Sequence, residues 1–199
     1  MAHAFLIHSL RCRPGQEAGP CRVLYSRVFG PETLDKDGGQ DPEKEHLSRK
    51  EQILAVARQT ELACKLYQKA SGKPLSEHSA QLPDEPISLQ DAPSGVFRLQ
   101  AGDPFCEDKT VLWLAVRCLG FALVCDTQEN LMLAEITLRL LVKELLDHLK
   151  LLSSGSDVVL KGDKAEAILG KFLPHGQLRF LNDQFVLSLE REVAASLGK

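Results

Sequence analysis

Cysteine and histidine are the residues of this sequence best suited to chemistry, yet neither type is spaced for it. The cysteines are Cys12, Cys21, Cys64, Cys106, Cys118 and Cys125, and the histidines are His3, His8, His46, His78, His148 and His175. No Cys-x-x-Cys pair, His-x-x-x-His spacing or zincin arrangement occurs, so no zinc site is predicted. Folding could bring together a nucleophilic pair such as Cys125 and His148. A chain with this many of both residues offers such pairs by chance, so we expect no catalytic residue.

The remaining chemistry-bearing patterns are also missing. The glycines match neither Gly-x-Gly-x-x-Gly nor a phosphate-binding loop, so no nucleotide or other cofactor is predicted. A net charge of −3 and a pI near 6.1 leave no broad basic surface for nucleic acid or for an acidic membrane. An enzyme is therefore disfavoured, because the sequence contains no recognisable constellation of catalytic residues.

Length and composition indicate one globular domain in the cytosol. The chain has 199 residues, of which 44% are hydrophobic, enough for one good core. The early apolar run Ala4-Phe5-Leu6-Ile7 is too short for a signal peptide, and no later segment offers about twenty uncharged apolar residues. In a reducing compartment we expect the cysteines to pack as small apolar side chains without disulfides.

The first half of the chain predicts a hairpin and a helix. "HAFLIHSLR" and "CRVLYSRVF" are strand-like runs that flank a turn-forming segment, and His8 is expected to lie near a strand end with an ordinary hydrogen-bond partner. From about His46 to Ala70 the period becomes helical, with a core-facing stripe at Ile53, Ala57, Thr60, Cys64 and Tyr67. Two segments, 30–45 and 71–94, are rich in turn-forming residues and predict flexible loops.

The second half predicts three strands followed by helices. "GVFRLQ", "TVLWLAVRCL" and "FALVCD" read as strands, with Gly120 separating the last two. A long helix follows, then "KGDKAEAILGKFL", where Asp163 is expected to cap the first turn, and a closing amphipathic helix, "DQFVLSLEREVAASL". The order β-β-α-β-β-β-α-α-α lacks alternating βαβ units. It therefore predicts an α+β fold with a mainly antiparallel sheet flanked by helices.

The long helix carries more leucines than one buried face needs. At 100° per residue, one broad apolar stripe contains Leu131, Ala134, Leu138, Leu141, Val142, Leu145, Leu149 and Leu152. A second stripe, on the other side, contains Leu133, Ile136, Leu140 and Leu151. Its exposure would leave a patch typical of an interface. Two explanations stay open: the terminal helices of the same chain cover this second stripe, or a partner protein does.

Four stretches resemble the small sigma subunits of adaptor-protein complexes, and within them the branch found in the fifth complex. They are "HAFLIH", "RKEQILAVARQ", "GFALVCDTQENLMLAEITLRLL" and "KAEAILGKFLPHGQLRFLNDQFV". The resemblance covers about residues 1–29, 46–70 and 95–195. It implies a longin-like fold of five antiparallel strands, in a single domain spanning residues 1–199.

The same resemblance implies partners and a place of action. A sigma subunit is held by the trunk of a large subunit, called zeta in the fifth complex, and the heterotetramer is completed by beta and mu subunits. Such a complex, with coat-associated scaffold proteins, sorts cargo on late endosomes and lysosomes, which it reaches from the cytoplasm as a peripheral coat. The second stripe of Leu133, Ile136, Leu140 and Leu151 is then the expected contact with zeta.

Sigma subunits of clathrin-linked complexes also help to bind acidic dileucine sorting signals. By that resemblance Arg22, near the start of the second strand, and Leu141 and Leu145, on the long helix, are candidate signal contacts. A longin-type regulatory scaffold that binds a small GTPase or a SNARE partner remains the alternative function. A longin SNARE itself would carry heptad repeats and a membrane anchor after the domain, and the sequence given contains neither.

Overall fold

The computed structural model describes residues 1–10, 21–29, 42–72, 89–102, 104–149 and 161–197. Its elements in chain order are β1 (Ala2–Ser9), β2 (Val23–Val28), α1 (Pro42–Ser71), β3 (Ser94–Leu99), β4 (Lys109–Val116), β5 (Leu119–Asp126), α2 (Leu131–Leu149), α3 (Gly162–Phe172) and α4 (Asp183–Leu197). A single 3-10 turn, Pro174–Gly176, lies between α3 and α4. The predicted order of strands and helices is confirmed.

The five strands form one antiparallel sheet in the order β2-β1-β5-β4-β3. The two strands with the longest apolar runs, β4 and β5, are buried along almost their whole length. Continuous apolar sequence of this kind fits strands that are covered on both faces. The α+β, longin-like prediction is therefore confirmed.

Helices cover the two faces of the sheet unequally. The main core lies between the sheet and α2, α3 and α4, and includes Phe5, Phe121, Leu138 and Phe172, all at most 2% exposed. A smaller core lies between the other face and α1, where Val56 and Ala57 are buried. Because α2 packs on the sheet with one side only, its opposite side is left to other elements or to partners.

The turn between β4 and β5 is not where the sequence suggested. The strands are joined at Arg117 and Cys118, with Arg117 at a positive φ of 52°. Gly120 lies inside β5, opposite His8 of β1. A Cβ atom at Gly120 would overlap the buried imidazole ring of His8. This glycine therefore makes room for a side chain on the neighbouring strand, and its interpretation as a turn residue was wrong.

Three further expectations need correction. Cys118 is disulfide-bonded, so the expected absence of disulfides is wrong. Asp163 does not cap α3, because the helix begins at Gly162 and Asp163 lies inside its first turn. There its negative charge interacts favourably with the positive end of the helix dipole. Tyr67 is 41% exposed, because it lies at the edge of the stripe on α1, next to Trp113.

Candidate partner-binding face

One side of α2 is committed to the main core. Six apolar side chains of the predicted broad stripe are at most 2% exposed, namely Ala134, Leu138, Leu141, Val142, Leu145 and Leu149. Leu131, which the sequence assigned to the same stripe, is 41% exposed because it is the first residue of the helix. Leu152 lies outside the described residues. The stripe is therefore confirmed wherever the helix lies over the sheet.

The other side of α2 exposes apolar side chains near its beginning. Met132 is 71% exposed and Ile136 is 46% exposed. Leu133 and Leu140 of the predicted second stripe are half-buried, and Leu140 packs against the edge of the main core. The fourth residue of that stripe, Leu151, lies outside the described residues. We call Met132, Leu133, Ile136 and Leu140 the outer face of α2.

The terminal helix accounts for part of the cover. Lys143 of α2 donates a hydrogen bond of 2.8 Å to the carboxylate of Glu190 on α4, and this bond raises the pKa of the lysine. The contact lies one turn beyond Leu140 and ties α4 to the C-terminal half of α2. The first half of the outer face, around Met132 and Ile136, keeps its exposure. A terminal helix of the same chain therefore contacts the C-terminal half of this side, and cover of its first half by a partner protein stays a prediction.

A fixed arginine separates the outer face from the sheet edge. Arg139 donates to the Glu135 carboxylate at 2.8 and 3.0 Å, to Ser94 Oγ at 3.0 Å and to the Leu89 carbonyl. Arg139 thus joins α2 to the chain that leads into β3. Its charge is already matched by Glu135, so a partner that covers this border would not leave an unpaired cation behind.

The predicted sorting-signal residues are not brought together on the surface. Arg22 is exposed just before β2, and its backbone is bonded to Ser9. Leu141 and Leu145 are 0% exposed in the main core. A peptide that carries a dileucine sorting signal would reach these two leucines only if the residues that cover them moved. The assignment of Arg22, Leu141 and Leu145 to a dileucine signal stays a prediction.

The candidate nucleophilic pair is also unsuited to its role. Burial raises the pKa of the Cys125 thiol to about 12, whereas a nucleophilic cysteine needs a lowered pKa. His148 lies 3.5 Å from the buried carboxylate of Glu144 on the same helix. Among the residues that the structure describes, no group of three or more His, Cys, Asp or Glu side chains could hold a metal ion. Nor is any helix of that part of the chain long and apolar enough to span a membrane.

The residue that sequence reasoning missed is Met132. Around the helix axis, its position is about 40° from that of Ile136 and about 20° from that of Arg139 when residues are placed at about 100° intervals. The second stripe predicted from the sequence contains only leucine and isoleucine and does not include it. Helical phase alone would have placed Met132 on the outer face, since methionine is also an apolar side chain used at binding surfaces.

Comparisons with known proteins agree with this fold and with the resemblance. Residues 1–194 match the family model described as AP-5 complex subunit sigma-1. A human protein named AP-5 complex subunit sigma-1 is 55% identical over 197 residues, which is 98% of this chain and 98% of that protein. A mouse protein of the same name is 56% identical over 154 residues, 77% of this chain and 91% of that protein. The chain belongs to the AP-5 complex subunit sigma-1 family.

Proposed function

We propose that this chain is the non-enzymatic small subunit of an AP-5-type adaptor complex, and that the outer face of α2 docks on the trunk of the large zeta subunit. Beta and mu subunits complete the heterotetramer, which sorts cargo as a peripheral coat on late endosomes and lysosomes. Family membership supports the role as a subunit. The observation that carries the docking site is the exposure of Met132 and Ile136 on a helix whose other side is fully buried.

The energetics favour a protein partner for this face. Full burial of an aliphatic or methionine side chain stabilises an assembly by roughly 1.5–3 kcal/mol relative to its exposure. Burial by a partner would still provide most of this stabilisation at Met132, which is 71% exposed, and about half of it at Ile136, which is 46% exposed. Apolar side chains grouped in this way on a surface are typical of interaction sites.

The charges that flank the outer face lower the cost of covering it. Arg139 is paired with Glu135 on one side, and Lys143 with Glu190 on the other. A partner would therefore bury paired charges at the border and apolar side chains in the middle. Apolar centres with polar borders are the usual construction of protein interfaces.

The test is co-purification with the zeta subunit after coexpression. The variant Met132→Asp with Ile136→Asp places two carboxylates in the middle of the proposed contact, where the flanking Arg139 and Lys143 are already paired with Glu135 and Glu190. The desolvation of the two new carboxylates is therefore costly. We expect zeta to be lost from the purified complex. The melting temperature of the variant should stay close to that of the unmodified chain, since both side chains already face solvent.

Two control variants separate docking from folding. Leu62→Asp changes another exposed leucine, 52% exposed on α1, which covers the opposite face of the sheet, and should leave zeta binding unchanged. Leu138→Asp puts a charge into the main core and should unfold the domain. Retention of zeta by the double variant, with its loss from Leu62→Asp, would place the large subunit on α1 and refute the proposed docking site.

A further inference from the structure

The two edges of the sheet are treated differently. On edge strand β2, Tyr25 donates a hydrogen bond of 2.7 Å to Glu166 of α3, and Arg27 forms a 2.8 Å ion pair with the same carboxylate. The register of β1 against β2 also shifts between Ile7 and His8. Irregular pairing and contact with a neighbouring helix are common protections of an edge strand. Edge strand β3 has a regular register along all its residues.

The backbone of β3 presents a row of hydrogen-bonding groups to the outside. The carbonyl of Pro93 accepts a 2.8 Å hydrogen bond from the Ala115 amide, which sets the alternation of an antiparallel pair. The N–H and C=O groups of Ser94, Val96 and Arg98 consequently point away from β4. Within the described part of the chain, none of these three residues takes a backbone hydrogen bond on that outer side. As far as the described residues go, this edge is open to another extended chain.

A cavity lies directly beside this open edge. It has a volume of about 130 Å³ and is formed between β3, β4 and the first half of α2. Leu112, Leu114 and Leu138 contribute apolar side chains to it, while Glu135 and Arg139 contribute charged ones. A space of this size and lining suits one aliphatic side chain, and it is adjacent to Val96, which is 51% exposed.

The edge is held in place before any partner arrives. Arg139 fixes the approach to β3 through its bonds to the Leu89 carbonyl and to Ser94 Oγ. A binding site that is already ordered avoids part of the entropy cost of association. The only charged side chain within β3 is Arg98, which is exposed and lies on the same side of the sheet as Val96, two positions away.

From the open edge, the cavity and the position of Arg98 together, we propose that β3 binds an extended peptide segment of a partner protein by strand addition. The segment pairs with the backbone of Ser94, Val96 and Arg98. An aliphatic side chain opposite Val96 enters the cavity, and an acidic side chain two positions along lies opposite Arg98. Strand addition obtains affinity from main-chain hydrogen bonds and selectivity from alternate side chains. This site is separate from the outer face of α2.

The first experiment measures the binding of two short synthetic peptides to the immobilised full chain. Both peptides have threonine at every second position. One peptide carries leucine and glutamate two positions apart, and the other carries leucine and lysine. We expect the leucine–glutamate peptide to bind more tightly. The variant Val96→Pro, which removes the outward N–H without affecting the pairing with β4, should weaken binding by about tenfold or more, while Val96→Thr should change it little.

A charge exchange tests the direction of the preference. The variant Arg98→Glu should bind the leucine–glutamate peptide about threefold more weakly and should prefer the leucine–lysine peptide. The variant Met132→Asp with Ile136→Asp should bind both peptides as the unmodified chain does. That result would hold even if zeta docks elsewhere, so failure of the docking proposal and failure of strand addition can be told apart.

Hydrogen exchange shows where the peptide lies. The amides of Ser94, Val96 and Arg98 should become protected when the leucine–glutamate peptide is added. Unchanged exchange at these amides, or equal binding by Val96→Pro, would overturn the proposal. Protection that rises with the concentration of the chain alone and disappears in Val96→Pro would also overturn it, because the occupant of the edge would then be a second copy of the chain.

Discussion

The buried imidazole of His8 predicts a stability that depends on pH. Its side chain is 0% exposed, with Nδ1 3.3 Å from the Ser9 carbonyl and 3.5 Å from Cys21 Sγ, while Nε2 has no hydrogen-bond partner among the residues that the structure describes. Burial lowers the pKa of His8 to about 4, against the smaller opposing effects of the Ser9 carbonyl and of Glu61 on α1. The folded protein therefore holds this ring in its neutral form.

The size and sign of the effect follow from the difference between the folded and unfolded states. An unfolded histidine has a pKa of 6.5, so the unfolded chain binds the proton more tightly than the folded chain does. The stabilisation is fully present above about pH 6.5 and is lost as the pH falls towards 4. The gap between these pKa values corresponds to roughly 3 kcal/mol, of which about 2–3 kcal/mol is already lost near pH 4.5.

The assay is urea unfolding of the unmodified chain and of the variant His8→Leu near pH 7.5 and near pH 4.5. Leucine keeps an apolar side chain of similar volume at this position but cannot be protonated. The unmodified chain should lose about 2–3 kcal/mol more than the variant between the two pH values. His3 and Glu144 also have shifted pKa values, but both are present in the two proteins and cancel in the difference. An equal loss in both proteins would refute the buried, neutral state of His8.

Three other expected outcomes can be checked on the same material. Gly120→Ala should lower the unfolding free energy by about 1–3 kcal/mol in thermal or urea melts, because its Cβ overlaps the His8 ring, and adding His8→Ala should restore part of that loss. A limited dose of protease should cut within residues 71–95, where the sequence is rich in proline and poor in apolar residues, before it cuts within 110–150; early cleavage in the second range would contradict this. The isolated chain should self-associate in light scattering and bind an apolar dye, and coexpression with the large subunit should suppress both, whereas a monodisperse chain that binds no dye would contradict an exposed docking face.

The sheet and the helices could be predicted because their sequence patterns are strong. Each strand of the β4–β5 hairpin is a continuous apolar run, and the core side of α2 repeats with a helical period over five turns. Local patterns of this length survive the influence of tertiary contacts. The position of the β4–β5 turn could not be predicted in this way. Gly120 is required by its contact with His8 on another strand, and nothing near Gly120 in the sequence indicates that contact.

The candidate site was predictable in outline but not in detail. Helical phase placed Leu133, Ile136 and Leu140 on one face of α2, and the structure confirms that they lie away from the broad stripe. The approach of α4 to α2 through the Lys143–Glu190 contact could not be predicted from helical phase, since the two residues are separated by 47 positions. The open edge of β3 was also hidden, since the sequence does not specify the order of strands in the sheet.

Site-specific photo-crosslinking in the assembled complex shows whether the outer face of α2 contacts the zeta subunit. A photoreactive amino acid is placed at Ile136 in one sample and at Leu62 in the other, since both side chains are about half exposed and lie on helices that cover opposite faces of the sheet. A zeta crosslink is expected from position 136 and none from position 62. A zeta crosslink from position 62 with none from position 136 would contradict docking of zeta on the outer face.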